Sequence, residues 1–385
     1  MRAYSESSEE ALRTRDLLKD WAGEGFLTPE QYQRMNQESV CDLRVTNIIL
    51  RVVLFLFSLL IVGAAVLLVG VTLTPTDRLS RFLLLVFAGL SYAAAEFAVS
   101  QARLYRYGIE EALAACSVGF LAAGVWEGDH YGSGSLVAGA VASLWIWRRF
   151  GLPYAFPAAM LFVAWLPNHW TPYPSAQHLI VAAFYAAGLA GVAAVRPRHR
   201  FTYLNDTYSF AEAFLWLGIY LAINLQLSSM SLLGGLRISA EFSKPFYWTT
   251  WVLIWCLPPA ILARGLRLKD RWVIAAGAIT AILTLVTNKP YLGWPRHTWD
   301  PMMLGAILVA VALVLSRWLA AGPSGIRHGF TARRLSSKDR QWMSAGAVVL
   351  GVVSPDAITL NPKPDSTDFH FGGGDSGGGG ASSDF

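Results

Sequence analysis

Long apolar runs alternate with short polar joints along most of the chain. Ten runs stand out, at residues 52–73, 82–99, 109–126, 133–147, 152–167, 178–195, 209–232, 246–263, 271–288 and 302–321. Most approach the ~20 residues that an α-helix needs to cross about 30 Å of hydrocarbon. A helix also satisfies its own backbone there, where no water is present to do so. The pattern predicts an all-α fold, a polytopic transmembrane bundle of about ten spans. The fourth and fifth runs are short, the fifth contains Pro153 and Pro157, and only Arg148-Arg149-Phe150-Gly151 joins them. A re-entrant hairpin is the alternative for that pair, and it leaves every other orientation unchanged because two crossings disappear together.

The polar stretches divide the rest of the chain. Residues 1–47 read as a cytoplasmic helical hairpin: Ser7 with Glu10 forms a capping box, Gly23 and Gly25 stop the first helix, and Thr28-Pro29-Glu30-Gln31 starts the second. Such a pair cannot enclose all of its apolar groups, which include Leu12, Leu18, Trp21, Phe26, Tyr32 and Met35. Segment 7–40 is therefore expected to dock onto a protein partner, a second copy or the protein's own inner face, with an amphipathic lead-in as the plainer alternative. Residues 48–321 form the membrane domain. A basic segment with a short apolar stretch follows at 322–353, suited to an anionic inner leaflet, and the Gly-, Ser- and Asp-rich tail at 354–385 is expected to be disordered.

Composition excludes a water-soluble globule. Of 385 residues, 54% are hydrophobic and only 15% charged, well below the ~25% charged that soluble domains carry. Charge placement then orients the bundle. With the N-terminus cytoplasmic, 25 of the 31 Lys and Arg fall on the inner side, so both termini are predicted to be cytoplasmic. The net charge of +5 thus belongs to topology, and no nucleic-acid groove is expected. The first 47 residues are polar with no cleavage pattern behind the first run, so that run is expected to anchor the chain. Cys41, Cys116 and Cys256 lack metal-ligand spacing and read as small apolar side chains. The expected environment is the lipid bilayer, with no cofactor.

One stretch carries a resemblance. Leu18-Lys19-Asp20-Trp21-Ala22-Gly23-Glu24-Gly25-Phe26-Leu27-Thr28-Pro29-Glu30-Gln31, close before a Gly- and Ala-rich span, resembles the front end of a family of bacterial polytopic membrane proteins of unknown function, and also a short oligomerisation module. The resemblance covers about 70 residues and implies a multi-pass protein of the bacterial inner membrane. It supplies no catalytic residues.

Few residues offer chemistry inside the membrane, where a charge is costly unless it serves a function. Glu96 near the inner end of the second span and Asn224 near the centre of the seventh are the substrate-contact candidates. Glu110, Glu111 and Glu212 open helices, and with Arg103, Arg106, Arg148 and Arg149 they suggest an inner belt of ion pairs. The outer rim gathers His130, His169, His178 and His297 beside Glu127, Asp129 and Asp300. Two of its loops share a pattern, Pro167-Asn168-His169-Trp170-Thr171-Pro172 and Pro295-Arg296-His297-Thr298-Trp299-Asp300-Pro301, which suits an internal duplication of spans 3–6 and 7–10.

The rim supports two expectations. It is either an interfacial aromatic belt built on Trp126, Trp165, Trp170, Tyr173, Trp294 and Trp299, or an enzymatic mouth. In the second case Glu127, Asp129, His130, His169 and His297 supply acid and base groups, or His130, His169, His178 and His297 hold a metal. Glu127-Gly128-Asp129 resembles the acidic pair of polytopic glycosyltransferases that use lipid-linked sugars, but the long first outer loop of those enzymes is replaced by residues 74–81. Gly374-Asp375-Ser376-Gly377-Gly378 copies the string around a serine-protease nucleophile in a tail without a barrel or base, and Asn205-Asp206-Thr207 is a sequon on the inner side; neither carries function. The leading expectation is a non-enzymatic envelope accessory protein or a carrier of a small or lipidic molecule. Reporter fusions at Trp170 and Trp299 should both report the outer side; cytoplasmic signals at either would overturn the orientation.

Overall fold

The computed structural model describes residues 2–23, 25–39, 42–73, 76–126, 132–199, 205–228, 242–294, 297–321, 326–327 and 330–331. Helices make up almost all of it: α1 Glu6–Gly23, α2 Pro29–Glu38, α3 Ile48–Leu73, α4 Asp77–Ser100, α5 Ile109–Gly124, α6 Ser133–Phe150, α7 Ala155–Trp165, the single turn α8 Pro167–Trp170, α9 Pro174–Val195, α10 Asn205–Ile223, the single turn α11 Leu225–Ser228, α12 Lys244–Leu268, α13 Arg271–Tyr291 and α14 Asp300–Ala320. A two-residue antiparallel pairing, Ile326–Arg327 with Phe330–Thr331, follows. Residues 332–385, and with them the tail and most of the basic segment, lie outside the described residues.

Each of the ten apolar runs coincides with a helix, and six helices are long and apolar enough to cross a membrane: α3, α4, α9 with its 3-10 extension to His199, α12, α13 and α14. The protein is a helical membrane protein. The remaining four fall short for visible reasons. The helices α5 and α7 have 16 and 11 residues, whereas α6 carries Arg148 and Arg149 and α10 carries Asn205, Asp206 and Glu212.

Neighbouring helices pair along the chain, α4 with α5, α6 with α7, α9 with α10 and α12 with α13, and α10 packs in addition on α13 and α12. The small residues on these faces let backbones approach closely, as helix contacts in lipid require. Gly218 shows why: a Cβ there would lie 2.0 Å from the Tyr185 ring, so α9 and α10 meet only because the side chain is absent. Buried apolar residues of the described chain fill four regions, around Tyr185 and Leu215, around Ala95 and Phe150, around Tyr220, Ile254 and Tyr291, and around Ile261 and Val273. The first and third both draw on α10, which is the centre of the C-terminal half. By contrast α3 and α14 bury none of their residues, in keeping with apolar surfaces turned to lipid.

The N-terminal hairpin forms, with one correction. Helix α1 starts at Glu6 and the Ser8 N–H donates to Ser5 Oγ at 3.3 Å, so Ser5 caps it rather than Ser7. It ends in a Schellman motif, with Phe26 N–H on Trp21 O and Gly25 N–H on Ala22 O and Gly25 at φ +77°. Thr28 and Gln31 make the expected reciprocal box at 3.0 and 3.2 Å. The chain ahead of α1 docks onto the protein itself. Ala3 N–H donates to Arg149 O at 2.8 Å, the Tyr4 hydroxyl donates to Leu104 O at 3.1 Å, and Arg2 pairs with Glu9 at 2.6 Å. Burial, then nearby Glu110, push the Tyr4 hydroxyl well above its ordinary range, which keeps it a donor. Leu17, Trp21, Phe26 and Met35 of the hairpin stay exposed.

Two glycine substitutions test this packing with opposite signs. Gly218→Ala should lower the thermal midpoint in detergent by the equivalent of about 1–3 kcal/mol of overpacking. Gly191→Ala, in α9 with nothing within 4 Å of its new Cβ, should leave it unchanged or raise it by up to ~1 kcal/mol through helix propensity. Equal effects at both positions would contradict the close α9–α10 contact.

Candidate functional site at the α10 break

Helix α10 is anchored by polar groups at both ends. Near its start, Glu212 has no exposed surface and accepts from Arg196 Nη1 at 2.5 Å and from Arg264 Nε. The sequence suggested that Glu212 opens a helix, but α10 begins at Asn205 and Glu212 is two turns inside, so guanidinium groups stabilise it rather than free helix amides. Asp270 completes the cluster: it pairs with Arg196 and accepts from Ser209 Oγ at 2.6 Å. It also caps α13 through the amides of Trp272 and Val273 at 2.9 and 3.4 Å. One cluster thereby joins the end of α9, the interior of α10, the end of α12 and the start of α13.

Further pairs join other helices. Arg51 of α3 meets Glu111 of α5 at 2.8 Å, Arg149 of α6 meets Glu96 of α4 at 3.2 Å, and Glu110 accepts the Tyr107 amide at 2.7 Å ahead of α5. Glu96, one of the two substrate-contact candidates, therefore has both carboxylate oxygens on Arg149 and serves to hold α4 against α6.

The other candidate, Asn224, sits where α10 stops. The expected location was mid-span, but α10 ends at Ile223, about 18 Å along the axis from Glu212 at 1.5 Å per residue. Asn224 Nδ2 donates to Tyr220 Oη and to Thr287 Oγ1, both at 3.0 Å. Its Oδ1 accepts from the amides of Gln226 and Leu227 at 3.2 and 3.3 Å. The side chain thus caps the single turn α11 and competes with continuation of α10. Both amide hydrogens and both oxygen lone pairs are in use, so Asn224 positions the break and has no bond left for a ligand.

The network spreads from there. Tyr220 Oη bonds Thr284 Oγ1 at 2.8 Å, Tyr291 Oη accepts from the Leu225 amide at 2.8 Å, and Tyr247 Oη donates to Tyr291 O at 3.0 Å.

Unmatched groups lie beside the break on α9. His178 is 2% exposed and its Nδ1 is 2.6 Å from Ala222 O. A carbonyl accepts only, so Nδ1 carries the proton and Nε2 of the neutral ring is an acceptor; it has no partner among the described residues. Gln177, fully buried, donates through Nε2 to Thr171 O at 2.7 Å, while its Oε1 has no partner among the described residues. Two adjacent residues therefore present buried acceptors that no described donor meets. Each such group costs about 1–3 kcal/mol unless a donor is supplied.

Among the described residues, His169, His178 and His297 do not form a metal-holding group. His178 is interior, whereas His169 of α8 and His297 ahead of α14 are exposed. His297 stacks on Trp299 with ring centroids 5.7 Å apart, and Asp300 accepts from Lys289 Nζ at 2.5 Å and from the His297 amide at 3.0 Å. Of the two loops with a shared pattern, the first forms the helical turn Pro167–Trp170, and the described part of the second has a turn at Thr298 and Trp299 before α14. Glu127, Asp129 and His130 lie outside the described residues, and among the described residues no three His, Cys, Asp or Glu are grouped to hold a metal.

Sequence reasoning missed Gln177, Tyr220 and the α13 partners. The missed signal was periodic: Thr280, Thr284, Thr287 and Tyr291 recur at helical spacing within an apolar run, and all are buried. Comparison with protein families, curated proteins and solved structures finds no match to this chain.

Glu212→Gln leaves Arg196 and Arg264 without their shared counter-charge. We expect a loss of about 3–5 kcal/mol, the usual effect of breaking a buried pair, read as a lower unfolding midpoint and reduced folded yield in detergent. An unchanged midpoint would show that the cluster does not hold the four helices.

Proposed function

We propose that this protein is a ten-span protein of the bacterial inner membrane, both ends cytoplasmic, that carries a small or lipidic molecule and performs no chemistry on it. The observation that carries the reading is the interruption of α10 at Asn224 beside the buried acceptors of Gln177 and His178 that no described donor meets. Broken helices with polar groups at the break are where membrane carriers place their sites, because backbone freed from a helix is tolerated only where it lines a cavity or is otherwise satisfied. Two acceptors without donors select a ligand that brings N–H or O–H groups. The likeness of the N-terminal hairpin to that of bacterial polytopic proteins supports the membrane assignment, and the 25 inner cations support the orientation.

A second reading, an accessory protein acting through a partner or self-association, is favoured by one feature. The hairpin leaves Trp21 and Phe26 exposed by 46% and 71%, two large apolar side chains open to a partner. The outward-facing enzyme is weighed in the same experiment.

Cells lacking the protein are complemented with three versions, and small molecules and lipids are profiled in cells and medium. His178→Phe and Gln177→Met, expressed at normal level, should reproduce the profile of the null strain. Alanine at Glu127, Asp129, His130, His169 and His297 together should behave as wild type. A wild-type profile for the two interior variants with a null profile for the outer one would replace the carrier with the enzyme.

A further inference from the structure

A cavity of about 390 Å³ opens where the last turn of α6 faces the 3-10 turn Arg196–His199 and the first turn of α10. Arg2, Arg148 and His199 line it, Thr207 adds a hydroxyl, and none of the described residues of its wall is a carboxylate. The adjoining cavity of about 160 Å³ shares Arg2 and Thr207 but is balanced: Glu9, Asp16 and Asp206 face Arg13 and Arg106. The contrast decides the sign of the ligand. Charge in the smaller cavity is internally compensated, whereas the larger one gathers two guanidinium groups and an imidazole from three separate segments.

The two arginines at the end of α6 differ in the same way. Arg149 is held by Glu96, while Arg148 makes no ion pair with any described residue. Arg2 shares its charge with Glu9, so Arg148 supplies the charge of the site, and the His199 ring forms the wall facing it. His199 is held flat against Tyr208, centroids 5.3 Å apart at 12°, and Trp147 meets the same tyrosine edge-on at 5.5 Å. The Trp147 ring thereby holds Tyr208, and through it His199, in place.

The layout is amphipathic along α6. Arg148 stands at the polar end, and Leu144, one turn back toward the apolar body of the helix, is 40% exposed and lines the same cavity. We propose that this cavity binds the phosphate of an anionic membrane lipid, with Arg148 and His199 on the phosphate and the lipid's glycerol and upper chain along Leu144 and Trp147. On the ten-span reading proposed above, on which this inference rests, the last turn of α6 lies at headgroup depth, and basic pockets between helices at that depth suit anionic headgroups. Charge-assisted bonds from guanidinium and imidazole to phosphate oxygens are the strong contacts available there. The site is separate from the α10 break and does not depend on the carrier reading.

The full chain, reconstituted in phosphatidylcholine nanodiscs with or without phosphatidylglycerol, tests this by native mass spectrometry of retained lipid and by thermal midpoint. Wild type should retain phosphatidylglycerol selectively and gain stability from it. Arg148→Gln should weaken retention about fivefold, the ~1 kcal/mol expected per surface cation. His199→Gln, on the facing wall, should weaken it independently, Arg148→Lys should keep most of it, and Arg198→Gln, exposed and off the cavity, should change nothing. Midpoints in pure phosphatidylcholine confirm that each variant folds. Equal retention by Arg148→Gln, His199→Gln and wild type would overturn the site. Equal protection by millimolar inorganic phosphate in phosphatidylcholine discs would overturn the lipid as its occupant.

Discussion

A carboxylate removed from all solvent must be matched by charge, and in this protein Glu212 is matched by two arginines from different helices. Much of the C-terminal half follows from that requirement. Arg196 reaches Glu212 only if α9 ends beside α10, and Arg264 reaches it only if α12 returns to the same level. Asp270 then takes the remaining side of Arg196 and starts α13 by capping it. Apolar packing in lipid is weakly directional, because lipid tails are as apolar as leucine. Paired charges and hydrogen bonds give the bundle its register.

The opposite end of α10 is solved differently. Hydroxyl and amide groups replace ions around Asn224, and the helix is interrupted rather than clamped. The two ends have different consequences. The ionic cluster has its strongest groups paired and is suited to rigidity, while the break leaves His178 and Gln177 with acceptors that no described donor meets. Unspent hydrogen-bonding capacity beside broken secondary structure is what a binding function needs, and complete pairing is what a scaffold needs.

The N-terminal half repeats the principle with fewer charges. Glu96 with Arg149 and Glu111 with Arg51 tie α4 to α6 and α3 to α5, and residues 2–4 seal the end of that group through Ala3 and Tyr4. Residues 42–45 add to the 101–106 loop through the Arg44–Leu104 bridge. The hairpin is thus tied to the membrane domain at its leading end, and its exposed aromatic side is left for other contacts.

The amino-acid pattern alone determined that the chain is helical and membrane-bound, because the length of an apolar run and the need to satisfy a backbone in hydrocarbon are local matters. It also determined that ionic groups would gather toward one end of the helices, since charges avoid the bilayer centre wherever they occur in a chain. Pairing was not legible. Nothing local tells Glu96 that its partner is Arg149, 53 residues away, or that His178 turns inward to Ala222 O while His169 and His297 remain at the surface. Nor does the run 209–232 reveal that α10 stops at Ile223, because the stop comes from Asn224 meeting Thr287 of another helix. Those outcomes rest on which helices become neighbours, and only the tertiary structure decided that.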